Sequence, residues 1–421
     1  MQSSIFDTCL NEAQSAHAAQ GSFSALRLKL REFLEPFSNE FERPERLAAG
    51  VLYLEGLLLG GRCRSAQIFA QKIKANLRAI DHFVNHSPWD HEAITATYCR
   101  NLYKRGKRRI SAVVLDELIV SRYGRHAIGA SRHLEDWTGI YRNSRRPDGP
   151  PRSSVGQLVH LWNWAERDQF LPIAAQLFLP TEWTGNRERM LRADVPTHAQ
   201  RQQNRWEAAL DLLHRHEKKL PPFDAVVCDI HYGYSLQFIA ALEQKGIPYV
   251  VEIPPHGGKP LVPTRFYPLP SDNGSRRRAW RGKGFAYCDW ISRLEREMER
   301  WMPLELADAD RRRKYYFADY LEMIPLVEEF RRYCRPRWLI ILRKNYSSFH
   351  WRFFISNLSP ETHPSDVAEL AHLLDSTQQY QRRINSRLGA RYFEGRSWRG
   401  LHHHVAMCLL AGEFMKRYSL I

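Results

Sequence analysis

The sequence predicts a mixed α/β protein, with a sheet core flanked by helical segments and interrupted by a β-containing insertion. Three observations predict it. Between residues 111 and 254, short apolar runs of strand length alternate with amphipathic helical stretches. Residues 20–110, and again those from 361 onward, repeat their apolar positions at helical spacing. Between 255 and 360 neither pattern holds for long. A chain of 421 residues, 43% hydrophobic and 12% aromatic, can bury a large core and has room for two or three domains.

In "ERLAAGVLYLEGLLLGG" (45–61), Leu47, Val51, Leu54 and Leu58 fall on one helical face, and Gly60 and Gly61 end the helix. The next helix, "RSAQIFAQKIKANLRAI", has Ile68, Ile73, Leu77 and Ile80 as apolar points on a basic background. A proline break follows in "HSPWDHEAITATYCRNLYKRGKRR", then a third helix and a basic run. This N-terminal segment (1–110) is either a DNA-binding module or a bundle that packs on the next domain.

"SAVVLDELIV" is a buried strand carrying Asp116 and Glu117, with "VGQLVHLWNWAE" and "FLPIAAQLFLP" as the next two strands. "RQQNRWEAALDLLHRHEKK" places Trp206, Ala209, Leu210 and Leu213 on one helical face. "DAVVCDIHYGYS" is a buried strand ending at Asp229, "LQFIAALEQKG" a helix stopped by Gly246, and "IPYVVEIP" a strand. These form the first part of the core (111–254). The insertion (255–360) opens on a loop rich in Pro, Gly and Arg, and "RWLIILRKNYSSFHWRFFISNLS" reads as a hairpin turning at Asn345–Ser348. The C-terminal helices (361–421) complete the core.

Lys and Arg outnumber Asp and Glu by 62 to 46, a formal charge of +16, which points to a polyanionic partner and most simply nucleic acid. The seven cysteines are scattered and no C-x-x-C occurs, so neither a disulfide framework nor a zinc ribbon is expected. The start has no signal-peptide core, and the longest apolar stretch is short and broken by Glu55. A cytoplasmic protein with no membrane partner is expected.

Asp116 and Asp229 both lie near the ends of buried strands. Strand ends in such sheets share a crevice, and a divalent cation offsets the repulsion between adjacent carboxylates. The same residues would also suit turn or helix caps.

Several segments together resemble bacterial insertion-sequence transposases of the DDE type, on an RNase H-like fold, in the family 701 branch. They are "VNHSPWDHEAI", "VVLDEL" followed by "YGRHAIGASRH", "FLPTEWTGNRERMLRADVP", "VVCDIHYGYSLQFIAALEQKGIPYVVEIP", "FFISNLS" and "YFEGRSWRGLHHHV", in that order across roughly 35–415. The resemblance implies three carboxylates holding two Mg²⁺ for in-line phosphoryl transfer. It assigns the first to Asp116, with Glu117 as the alternative, and the second to Asp229.

The third position departs. Where the family has its catalytic glutamate, this chain has Gln378, within "LLDSTQQYQ" (373–381). The family's Arg and Trp, four and three residues earlier, are Leu374 and Asp375, and its Lys seven residues later is Asn385. A neutral amide is a poor ligand for paired dications. Three readings follow: a transposase-derived DNA-binding protein that does not cut and needs no metal; an active Mg²⁺-dependent transposase in which Asp375 substitutes; or an active enzyme inactivated at 378. A protein–protein adaptor is a further class.

For DNA contact, "GSRRRAWRGKG" (274–284) offers Arg276, Arg277, Arg278 and Trp280, and "EGRSWRG" offers Arg396 and Arg399. The runs 105–109 and 311–314 add charge. His402, His403 and His404 point in different directions on a helix and read as structural. The partner expected is double-stranded DNA; a homodimer and partners from a mobile-element or defence system are implied by the resemblance alone.

Overall fold

The computed structural model describes residues 19–59, 66–103, 109–121, 127–134, 153–167, 169–253, 261–263, 302–304, 314–321, 323–325, 337–343, 351–390 and 393–418. One large mixed sheet organises them. Its strands are β1 (Ala112–Ser121), β2 (Ser131–Leu134), β3 (Ser153–Glu166), β4 (Gln169–Leu177), β5 (Ala225–Cys228) and β6 (Tyr249–Ile253), followed by strands of the insertion.

β1, β3 and β4 form an antiparallel meander, whereas β5 pairs parallel to β1 and β6 parallel to β5. The resulting order β4-β3-β1-β5-β6 is the RNase H-like core the sequence predicts. β1, β5 and β6 are central and covered on both faces, so they read as hydrophobic runs interrupted by charge only at Asp116, Glu117 and Glu252.

The insertion does not form a separate layer. After a detached pair, β7 (Leu261–Pro263) with β10 (Met323–Pro325), its strands β8 (Met302–Leu304), β9 (Lys314–Leu321), β11 (Arg337–Arg343) and β12 (Trp351–Ser356) continue the same sheet. β12 pairs antiparallel with β6, with Phe354 opposite Glu252, and β11 pairs with β12 as the expected hairpin. The hairpin's turn at Asn345–Ser348 lies outside the described residues.

At the N-terminus, α1 (Ala19–Leu34), α2 (Pro44–Leu58), α3 (Ala66–Ile73), α4 (Leu77–Asn85) and α5 (His91–Tyr103) bury their apolar faces in the main core. The single helix expected from 64 to 80 is two helices. Lys74 adopts a left-handed φ of 50° and Asn76 caps α4 by accepting the Arg78 amide. The break turns Leu77, expected on the buried face, outward to 43% exposure.

One sheet face carries α6 (Arg205–His216) and α7 (Leu236–Gln244). Trp162 donates its indole N–H to the Ala209 carbonyl across that interface at 2.9 Å. The other face carries α8 (Pro364–Leu388), whose Val367, Leu370, Leu373 and Leu374 are buried against Ala112, Val114, Val227, Val250 and Phe354. Each such side chain contributes about 1.5–3 kcal/mol. α9 (Trp398–Arg417) packs on α2, α4, α5 and β4, joining the sheet to the N-terminal helices. Among the described residues no helix is long and apolar enough to cross a membrane.

A helical turn, Ile230–Gly233, follows β5 and lies flat on β6. A methyl group at Gly233 would collide with the Glu252 carbonyl oxygen. Gly233→Ala is therefore expected to lower the unfolding free energy by roughly 1–3 kcal/mol, read by urea denaturation.

Candidate functional site

Pleating decides which acid of the Asp116–Glu117 pair faces α8. Ala112 and Val114 lie under α8, whereas Val113 and Leu115 belong to the core on the other side. Alternation puts Asp116 on the α8 face and Glu117 on the opposite one. Glu117 is held there. It accepts hydrogen bonds from Arg205 Nε at 2.5 Å, from a second Arg205 nitrogen, and from the Tyr232 hydroxyl at 2.7 Å. His160 Nδ1 lies 3.1 Å from the same hydroxyl.

The same alternation governs β5. Ala225 and Val227 face α8 and Val226 and Cys228 face away, so Asp229, next along in extended conformation, falls on the α8 face. It is 7% exposed, and its Oδ1 accepts the His231 amide at 3.0 Å, capping the turn that follows. The capping role is realised at Asp229, and parity sets Asp116 on the same face, but Asp116 lies midway along β1 and not near its end as expected, because β1 runs on to Ser121 in register with β3.

Gln378 is located by its neighbours. Three residues before it, Asp375 Oδ1 pairs with Arg352 of β12 at 2.7 Å. Three residues after it, Gln381 donates to Asn163 Oδ1 of β3 at 2.8 Å. β1, β5 and β6 lie between those strands, so the helix passes over them at Gln378. Gln378 is 7% exposed, and its Oε1 is buried without a hydrogen-bond partner among the described residues. A buried acceptor left unpaired costs about 1–3 kcal/mol.

Of the three positions that the resemblance assigns as ligands, two hold aspartates and the third a neutral amide oxygen. That is one anionic ligand short of what two Mg²⁺ require, and among the described residues no three His, Cys, Asp or Glu side chains are grouped to hold a metal ion. The residues do not fit a paired-metal seat. Asp375 does not make up the deficit, since its carboxylate is engaged by Arg352. Leu374, where the resemblance expects Arg, is fully buried against the sheet.

Arg276, Arg277, Arg278 and Trp280 lie outside the described residues, as do 105–108 and 311–313. Arg399 is bound to protein: it pairs with Asp194 at 2.8 Å and donates to the His86 carbonyl at 3.2 Å. The Arg396 carbonyl accepts from the Ile128 amide at 3.4 Å.

The histidine triplet has three separate structural partners. His402 Nε2 accepts the Leu177 amide while Nδ1 donates to the Trp398 carbonyl. His403 stacks on Trp89 at 3.7 Å and faces the carbonyls of Val84 and Trp89. His404 lies 2.9 Å from the Tyr53 hydroxyl and stacks on Phe393. The Ser87–Asp90 segment is thus clasped by α9.

Sequence reasoning missed three groups near the site: Arg205, Glu252 and Arg352. Glu252 alone left a signal, as the one charge inside the apolar run "YVVEI". The two arginines sit far along the chain from the acids they bind.

The family model described as DDE superfamily endonuclease matches residues 36–287. No curated protein matches the chain.

Burial holds the pKa of His91, His160 and His402 down to about 3, from an ordinary value of 6.5. A depressed folded-state value keeps each ring neutral while the unfolded chain takes up protons, so stability is complete above pH 6.5 and falls as pH drops toward 3. Each ring contributes a slope of up to about 1.4 kcal/mol per pH unit. Unfolding free energy measured from pH 7 to 5 should fall steeply, and His160→Gln should make that fall shallower.

Proposed function

Because the chain belongs to the DDE superfamily endonucleases, we propose that it binds double-stranded DNA on a transposase-derived nuclease fold without cutting it. The observation that carries this reading is Gln378: a buried amide oxygen, without a hydrogen-bond partner among the described residues, over the strands that bear Asp116 and Asp229. An amide at this place lacks the charge that hard divalent ions favour, and each lost 1.4 kcal/mol of transition-state stabilisation is about a factor of ten in rate.

What remains is a strongly basic chain. The net charge of +16 supports phosphate contact, and the arginines at 276–278 with Trp280 are the candidate contact residues, joined by Arg396. Arg399 is assigned instead to holding α9 against Asp194 and the His86 carbonyl. The first acid is Asp116 rather than Glu117, whose carboxylate is taken up by Arg205 and Tyr232 on the far face. A cytoplasmic protein derived from a mobile element, acting as a repressor or targeting subunit, suits this chemistry.

The test pairs two measurements on the full chain. Plasmid incubated with Mg²⁺ or Mn²⁺ should stay supercoiled. Binding to duplex DNA should weaken by roughly a hundredfold or more between 50 and 200 mM salt, as counterion release demands for several phosphate contacts. It should be unchanged in Asp116→Ala. Nicking abolished by Asp229→Ala would establish the Mg²⁺-dependent transposase instead, and salt-independent or absent DNA binding would favour a protein–protein adaptor.

A further inference from the structure

Val114, Val227 and Val250 stand side by side in β1, β5 and β6. Two residues further along each chain come Asp116, Asp229 and Glu252. Two residues restore the pleat, so all three carboxylates fall on the face covered by α8. Three acids thus sit level across three adjacent strands, Asp116 midway along β1 and the other two at the C-terminal ends of β5 and β6, and Glu252 is only 5% exposed.

A cation is already present at the Glu252 end. Arg352, on neighbouring β12, grips both Glu252 oxygens, Nε to Oε1 at 2.7 Å and Nη2 to Oε2 at 2.6 Å. Its remaining nitrogen, Nη1, reaches Asp375 Oδ1 of α8 at 2.7 Å. The guanidinium is therefore wedged between the sheet and the helix above it. Its own pKa is raised by Asp375 and Glu252 against the opposing effect of burial, so it stays charged. One helical turn on, Gln378 Oε1 is buried without a hydrogen-bond partner among the described residues.

Buried carboxylates need a paired positive charge. Here that charge is covalently part of the chain. We propose that Arg352 is the resident counter-cation of this acidic row and takes the electrostatic place of a second divalent ion. It leaves one metal position at most, at Asp116 and Asp229. Glutamine at 378 is then consistent with the local charge: the pocket carries a built-in cation and does not need a third anion on the helix. This inference rests on Asp116 and Asp229 being the paired acids, and not on whether DNA is cut.

The experiment counts bound Mn²⁺ by electron paramagnetic resonance on the full chain, at fixed ionic strength. Wild type should bind at most one ion. Arg352→Met, which removes the charge and keeps most of the side-chain volume, should bind Mn²⁺ about tenfold more tightly or take up a second ion, because the positive charge against Glu252 and Asp375 is gone. Arg352→Met combined with Glu252→Gln should lose that gain. Two ions on wild type, or wild-type Mn²⁺ binding by Arg352→Met, would overturn the proposal. Should Arg352→Met fold poorly, Mn²⁺ should raise its melting temperature by more than it raises that of wild type; an equal shift would also overturn it. Nicking of plasmid by wild type would end the binding-only reading and leave this ion count to be judged on its own.

Discussion

The crossing of α8 over the sheet is the constraint on which the site depends. The helix is 25 residues long, and its buried side chains cover β1, β5, β6 and the insertion strand β11. Apolar burial alone would let it slide or rotate, because hydrophobic contact is not directional. Two polar contacts remove that freedom: Asp375 to Arg352 on one side, Gln381 to Asn163 on the other. The position of Gln378 is a consequence of these two contacts. So is the burial of its amide oxygen.

The central strands were legible because they are covered on both faces and are apolar but for Asp116, Glu117 and Glu252. α8 and α9 were legible from their length. β2 was not: "SRHL" has no apolar run, and only its pairing with β3 makes it a strand. The break at Lys74 was hidden because it rests on a left-handed residue that is not glycine, within a helical pattern that continues on either side. At the site, both acids of the Asp116–Glu117 pair sit in the middle of one otherwise hydrophobic strand. Parity separates them only once the face bearing α8 is known. Arg352 was illegible for a different reason, since its partners are 100 residues earlier and 23 residues later.

The insertion has a larger part in the core than its irregular sequence suggests. Its strands extend the sheet from β6, so the register of β12 on β6 sets where Arg352 falls relative to Glu252. A slip of one residue there would send the guanidinium to the opposite face. The insertion and the acid site are therefore coupled through backbone hydrogen bonds, over a separation of 100 residues. The Glu117–Arg205–Tyr232 group does similar work on the other face, where it ties β1, α6 and the turn after β5 together.

The clasp between α9 and the Ser87–Asp90 segment joins groups more than 300 residues apart. During synthesis the N-terminal helices and the acid-bearing strands leave the ribosome long before their covering helices exist. Until then, Val114 of β1 and Val227 of β5, which α8 covers, have no lid. A nascent chain therefore presents a sticky sheet face bearing carboxylates, and closure comes as a late event that waits for α8 and α9.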